Sequence, residues 1–213
     1  MVATALALAA AYLAGAIPTG LFVGKAKGVD LREVGSKNIG FTNAWRVLGA
    51  GPGLVVLVVD VGKAFAAARY LPPLADSSAA WVPAAAGIAV LLGNFFNVFL
   101  RGKGGKGVAT GLGVFAALAP QSIGAAAVVF FLTVAATRYI SLGSLLAVTV
   151  LLAGTLYWDD WPVRAIAALT WALVVYKHRE NIGRLRAGTE RKFGRAGSEP
   201  SKPETLDGGS QPR

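Results

Sequence analysis

Arg101-Gly-Lys-Gly-Gly-Lys-Gly-Val-Ala-Thr110 is the stretch on which the reading of the chain turns. It is glycine-rich and basic. Trp81 to Leu100 before it and Val108 to Thr137 across its end carry no formal charge. Glycines let successive backbone N–H groups converge on one point, and such a nest binds anions. Lys103 and Lys106 add cationic donors. Between two apolar segments, the loop reads as a site for a phosphorylated molecule at the edge of a bilayer. The competing reading is a tight turn whose lysines only set topology. The loop alone leaves both open.

The flanking runs set the fold class. Of 213 residues, 54% are hydrophobic and 15% charged. The mean hydropathy is +0.56. That is a membrane composition. Apolar runs near 3–24, 52–70, 82–100, 107–119, 121–137, 140–158 and 160–176 tile most of the chain. A span needs roughly 20 apolar residues, and most of the runs fit. The run at 107–119 is short, and Pro120 turns the chain after it. The expectation is an all-α integral membrane protein with about seven transmembrane helices. Its N-terminus is placed outside and its C-terminus in the cytoplasm. Five or six spans stay open if 107–137 folds differently. Lys25 and Lys27 follow the first run rather than precede it, so it reads as a retained span and not a signal peptide. Residues 1–194 read as one domain, and 195–213, rich in Gly, Ser, Pro and charge, as a disordered tail.

The charges agree with this topology. Under it, every Lys and Arg except Lys63, Arg69 and Arg164 falls on the cytoplasmic side, and Asp76, Asp159 and Asp160 fall opposite. The net charge of +10 is divided among short loops. No nucleic-acid-binding module accompanies it, so no nucleic-acid partner is expected. The chain has no Cys and one His. Disulfides and thiolate metal sites are excluded, and neither a metal nor a cofactor is expected.

Three polar clusters collect on the basic side. The first loop, Gly28 to Arg46, sets Ser36, Asn38, Thr42 and Asn43 among glycines. Asn38 to Thr42 and Asn43 to Arg46 are helical spacings, so several polar tips are expected to share a face. Arg46 can grip a phosphate with its fork; the plainer reading is a capped loop with a topological arginine. The second cluster is the Gly loop. Its Gly102-x-Gly104-x-x-Gly107 imitates a dinucleotide fingerprint, but that motif needs a preceding strand and here an apolar span precedes it. The third is Tyr176 to Glu190. His178 and Asn181 stand at i, i+3, facing one site if the last helix continues, and Glu180 is placed to pair with Arg184. Asp60 and Lys63 lie at i, i+3 inside an apolar run and read as a polar lock. Ser141 and Ser144, at the start of the sixth run, read first as helix caps.

These residues resemble the PlsY family, bacterial membrane glycerol-3-phosphate acyltransferases. The resemblance rests on Ile17-Pro-Thr-Gly20, Asp30-Leu-Arg, Gly35-Ser-Lys-Asn-Ile-Gly-x-Thr-Asn43 with Arg46, Gly104-Gly-Lys-Gly-Val-Ala-Thr110, Ser141-Leu, His178-Arg-Glu-Asn-Ile182 and Gly188-Thr-Glu190. It implies acyl transfer from acyl-phosphate to the 1-hydroxyl of glycerol 3-phosphate, giving lysophosphatidate and phosphate. The site would lie at the cytoplasmic face of the inner membrane, in contact with lipid. An acyl-phosphate-producing enzyme is an implied partner. The resemblance implies Lys106, Arg46, Ser36 and His178 as catalytic residues. Asn38, Thr42, Asn43, Gly104, Gly105, Gly107, Ser141 and Asn181 are the implied substrate contacts. The chain departs from the family's usual pattern at Lys37, Phe41, Asn94 and Asn97. Two rivals stay open: a transporter of phosphate or organophosphate, and a non-catalytic lipid-binding paralogue.

Overall fold

Pro18 divides the first apolar run. In the computed structural model, which describes residues 1–194, helix α1 covers Val2–Ala16 and α2 covers Thr19–Ala26. A proline lacks an N–H and disfavours a helical backbone in the residue before it. Ile17 accordingly leaves the helical region, at φ −55° and ψ 114°. Its carbonyl accepts Lys63 Nζ at 2.5 Å. Lys63 pairs with Asp60 at 2.7 Å, and Asp60 accepts Thr19 Oγ1 at 2.8 Å. The expected lock is present, and it ties the helix that carries Asp60 and Lys63 to the break in the first run. Each partner satisfies a group that would be costly alone at membrane depth.

The remaining helices are α3 (Phe41–Leu48), α4 (Ala50–Tyr70), α5 (Trp81–Phe95), α6 (Val108–Leu118), α7 (Pro120–Thr137), α8 (Ile140–Trp158), α9 (Trp161–Lys177) and α10 (Arg179–Arg186). Short 3-10 turns follow α4 and α5. A helix occupies each apolar run. Among the described residues, four segments are long and apolar enough to cross a membrane: Val2–Ala26, Trp81–Leu100, Pro120–Thr137 and Ile140–Trp158. Helix α6 has only 11 residues. The tail expected from 195 onward lies outside the described residues.

The helices pack as neighbours α1 on α5, α4 on α6, and α7 on α8. The α1–α5 approach is close enough to require glycine. A Cβ on Gly15 would lie 2.0 Å from Val90 O, and one on Gly93 would lie 2.0 Å from Tyr12 O. Phe95, Phe115, Val90, Val114, Ile166 and Val174 fill the core. Large apolar side chains also cover the outside, among them Leu6, Val58, Phe131, Leu132 and Leu156. A helix apolar all round belongs in hydrocarbon.

The two ends of the bundle differ. At one, the amino terminus pairs with Asp76 and Ser122 Oγ donates to Asp159 at 2.5 Å. At the other, Leu21, Ile39 and Leu100 cluster, which brings the first loop beside the entry to the Gly loop.

Candidate active site at the basic end

The Gly loop is held down on the end of α5. Asn97 Oδ1 accepts Phe99 N–H at 3.0 Å and its Nδ2 donates to Ala16 O at 2.5 Å, so one amide fixes the loop entry to the end of α1. Gly105 N–H donates to Asn94 O at 3.1 Å. A Cβ on Gly104 would lie 1.8 Å from Asn94 O, and one on Gly107, at φ 77°, would lie 2.2 Å from the Phe95 ring. These two glycines are there because α5 leaves no room for a side chain. Lys103 is exposed, whereas Lys106 turns inward and donates to Asn181 Oδ1. The expected pair of cationic donors thus narrows to Lys106. Burial, with the Arg184 charge behind it, pulls the Lys106 ammonium down to about 8.

His178 and Asn181 do come together, at the junction where α9 passes into α10. His178 Nδ1 faces Val174 O at 2.8 Å. A carbonyl only accepts, so Nδ1 carries the proton and Nε2 keeps a free lone pair. Burial first, then the charge of Lys106, pulls this imidazole down to about 4. His178 is therefore neutral near neutral pH. Asn181 Nδ2 donates to Glu190 Oε1 at 2.6 Å, and Arg184 Nε to Glu190 Oε2 at 2.6 Å. The pairing expected between Glu180 and Arg184 exists only at 4.0 Å and in the open. Arg184's main partner is Glu190, which the local spacing did not disclose. Burial pushes the Glu190 carboxyl up, but the hydrogen bonds from Asn181 and Arg184, helped by the Ser141 hydroxyl, hold it below its ordinary value.

Ser141 is buried in the first turn of α8, and its Oγ meets no partner of good hydrogen-bond geometry among the described residues. It is not the cap expected. Nor is Ser144, whose Oγ donates back to Ile140 O at 2.9 Å. Helices α6 and α8 both begin beside this site without a side-chain cap. The first N–H groups of a helix carry partial positive charge and attract anions.

The first loop is organised by Asn43. Its Oδ1 accepts Ser36 N–H at 2.8 Å, and its Nδ2 donates to Leu31 O and Val34 O, both at 3.1 Å. Both amide hydrogens are thus committed to the loop's own backbone. Asn38 and Thr42 do not share a helix, because α3 starts only at Phe41. Asn38 Oδ1 instead accepts Gly40 N–H at 2.8 Å, making the turn that starts it. Ser36 is exposed. Arg46, on α3, donates to Arg191 O at 3.2 Å. Burial pulls Arg46 down, and it stays charged at any working pH.

A family model described as glycerol-3-phosphate acyltransferase matches residues 5–188. The chain belongs to this family. A glycerol-3-phosphate acyltransferase from Trichlorobacter lovleyi is 47% identical over 189 residues, covering 87% of this chain and 95% of its own. One from Geobacter sulfurreducens is 45% identical over 186 residues, with the same coverage, 87% and 95%. Among solved structures, PlsY, an integral membrane glycerol 3-phosphate acyltransferase, superposes in its glycerol 3-phosphate form with a TM-score of 0.82. It shares 38% identity, over 90% of this chain and 96% of that one. Its lysophosphatidic acid form gives 0.79 at 36% identity, over 90% and 95%.

The residues read from the sequence as departures from the family pattern have visible places. Phe41 lies against Trp45 and Phe193, with ring centroids 5.6 and 6.3 Å away. Asn97 is the residue that ties the loop entry to α1. Asn94 lies under the Gly loop with its Oδ1 buried and unpartnered among the described residues. Lys37 is exposed at φ 56°, a backbone region that glycine or asparagine occupies more easily.

Proposed function

We propose that this protein transfers a fatty acyl group from acyl-phosphate to the 1-hydroxyl of glycerol 3-phosphate. The products are 1-acyl-glycerol 3-phosphate and phosphate. The observation that carries the reading is a cationic cluster. Lys106 reaches the Asn181 amide that Glu190 holds, Arg46 reaches the carbonyl of the neighbouring Arg191, and Ser141 lies in the first turn of α8 beside the same carboxylate. Two anionic reactants repel each other, and such a cluster offsets that repulsion while it aligns them.

Acyl-phosphate is a mixed anhydride with an activated carbonyl. The glycerol hydroxyl oxygen attacks that carbon, the bond to the phosphate oxygen breaks, and an ester forms. Phosphate leaves with the electron pair and takes the hydroxyl proton. His178 suits this route better as an orienting acceptor than as a base, because its conjugate acid is pulled down to about 4. Ser36, Arg46, Lys106 and Ser141 are assigned to phosphate and acyl-phosphate. Asn38, Thr42, His178 and Asn181 are assigned to the substrates, and Asn43 shapes the loop that carries the first of them. No cofactor or metal takes part. An acyl-phosphate-producing enzyme must supply the donor.

Helices α4, α6 and α9 complete a seven-segment bundle in the inner membrane, with the N-terminus outside and this site at the cytoplasmic face. The distribution of Lys and Arg supports that orientation. The deciding experiment uses purified protein in detergent with acyl-phosphate and glycerol 3-phosphate. Release of phosphate together with lysophosphatidate is expected. A transporter shows no such turnover without a compartment, and a lipid-binding paralogue shows none at all.

A further inference from the structure

Glu190 has no part in the transfer just described, yet its carboxylate is only 5% exposed and sits within the cluster assigned to anionic substrates. A negative charge there opposes substrate binding unless it serves something else. The chemistry of its neighbours shows what. An asparagine side chain can be turned over, exchanging its oxygen and its NH2. The Lys106 ammonium only donates and the Glu190 carboxylate only accepts. With Asn181 Nδ2 held on Glu190 Oε1 at 2.6 Å, Oδ1 is forced toward Lys106, where it accepts the ammonium. The second carboxylate oxygen is taken by Arg184 Nε at 2.6 Å.

The segment that delivers Glu190 is itself fixed. Thr189 N–H donates to Arg184 O at 2.8 Å, and Phe193 N–H to Arg138 O at 2.7 Å. Arg191 O accepts from Arg46. The Phe193 ring lies 5.3 Å from Trp45 and 6.3 Å from Phe41. Residues 188–193 thus form a strap from α10 across to α3 and the α7–α8 turn, with Glu190 facing inward.

We propose that Glu190 is a positioning residue of the acyl transfer: it fixes the Asn181 amide so that Oδ1 holds Lys106, and its charge offsets that of Arg184 beside the same ammonium. The charged groups that face Lys106 are Arg184 and Glu180 of α10, Arg46 of α3 and Glu190 of the strap, with His178 neutral. The inference rests on the assignment of Lys106 to acyl-phosphate.

The test is the pH profile of kcat/KM, which reports groups of the free enzyme. The parent should lose activity as pH rises through about 8, where Lys106 deprotonates. Glu190→Gln should lower kcat/KM roughly 10-fold or more at neutral pH. It should also move the alkaline limb to lower pH, because the arginines then act on Lys106 unopposed. Arg184→Gln should move the limb the other way. Glu190→Asp keeps the charge, so its limb should stay near the parent's even if the rate falls. A merely structural contact lowers rates and leaves all limbs in place, and that result overturns the proposal. Should Glu190→Gln fail to fold, an unmoved limb in Arg184→Gln, or a limb displaced to low pH in Glu190→Asp, overturns it equally. Lys106→Met separates the two levels. If that variant turns over normally, the site reading itself fails. If it is inactive while the Glu190→Gln limb stays put, only the role of Glu190 fails.

Discussion

Lys106 is the side chain on which the site assignment depends most. Lys106→Met keeps the apolar stem and removes the charge. Losing a hydrogen bond to a charged group costs about 1.5–3 kcal/mol, so phosphate release should fall roughly 10- to 150-fold in protein that still elutes as a folded species. Arg46→Lys keeps charge and loses the fork, and should also be impaired. Lys27→Met, at an exposed position past the end of α2, should match the parent. His178 gives a prediction of a different kind. Its imidazole is already neutral above about pH 4, so it contributes no titration between there and neutrality. His178→Asn should lower the rate and leave the acid limb of kcat/KM where it was. A limb that vanished in this variant would make His178 the proton acceptor. Lys106 was readable as a site candidate from its place in the Gly loop between apolar runs, whereas Ser141 read by its place as a cap and became a candidate only through the family resemblance. Glu190 was not, because its partners at 181 and 184 are reached by irregular backbone that no helical spacing describes.

Helix α4 and the break at Pro18 stand or fall together. Lys63 satisfies Ile17 O and Asp60, and Asp60 satisfies Thr19. Removing one charge strands the other in a poorly solvated place, which typically costs about 3–5 kcal/mol. Lys63→Met alone should therefore lower the unfolding temperature in detergent far more than the double change Asp60→Leu, Lys63→Met does. Additive losses would show that the pair is not coupled. The pair was evident in the sequence because two charges in an apolar run need each other. The break was not read, although Pro18 signals it, because 3–24 is long enough to pass as one uninterrupted span. The helix limits elsewhere followed from run length and from Pro120. The start of α3 did not. The spacing of Asn38 and Thr42 suggested a shared helical face, but Asn38 forms the turn that begins the helix and so stands outside it.

The orientation of the whole bundle is testable because the chain has no cysteine. Single cysteines placed at the exposed positions 36, 103 and 179 should resist an impermeant thiol reagent added to intact cells and react in inverted vesicles. Labelling at 103 from outside would defeat the proposed topology. The chemistry is testable at the same level. Turnover should survive a chelator, because among the described residues no group of His, Asp and Glu is arranged to hold a metal ion. A strict metal requirement would force a different site.

Helix α6 spans 11 residues, or about 16 Å at 1.5 Å per residue, against a hydrocarbon layer of roughly 30 Å. In the proposed topology an end of α6 must therefore be drawn inward, and with the Gly loop as that end the site lies at the depth of the lipid headgroups or below. A donor carrying a fatty chain reaches such a centre by sliding within its own leaflet, without desorbing. Its effective concentration is then counted per area and not per volume, while glycerol 3-phosphate is still counted in solution. At fixed total acyl-phosphate, added detergent or lipid should slow the reaction by surface dilution alone. Since the product becomes membrane, each turnover enlarges the sheet in which the donor is dispersed, and growth of that sheet thins the supply that drives it.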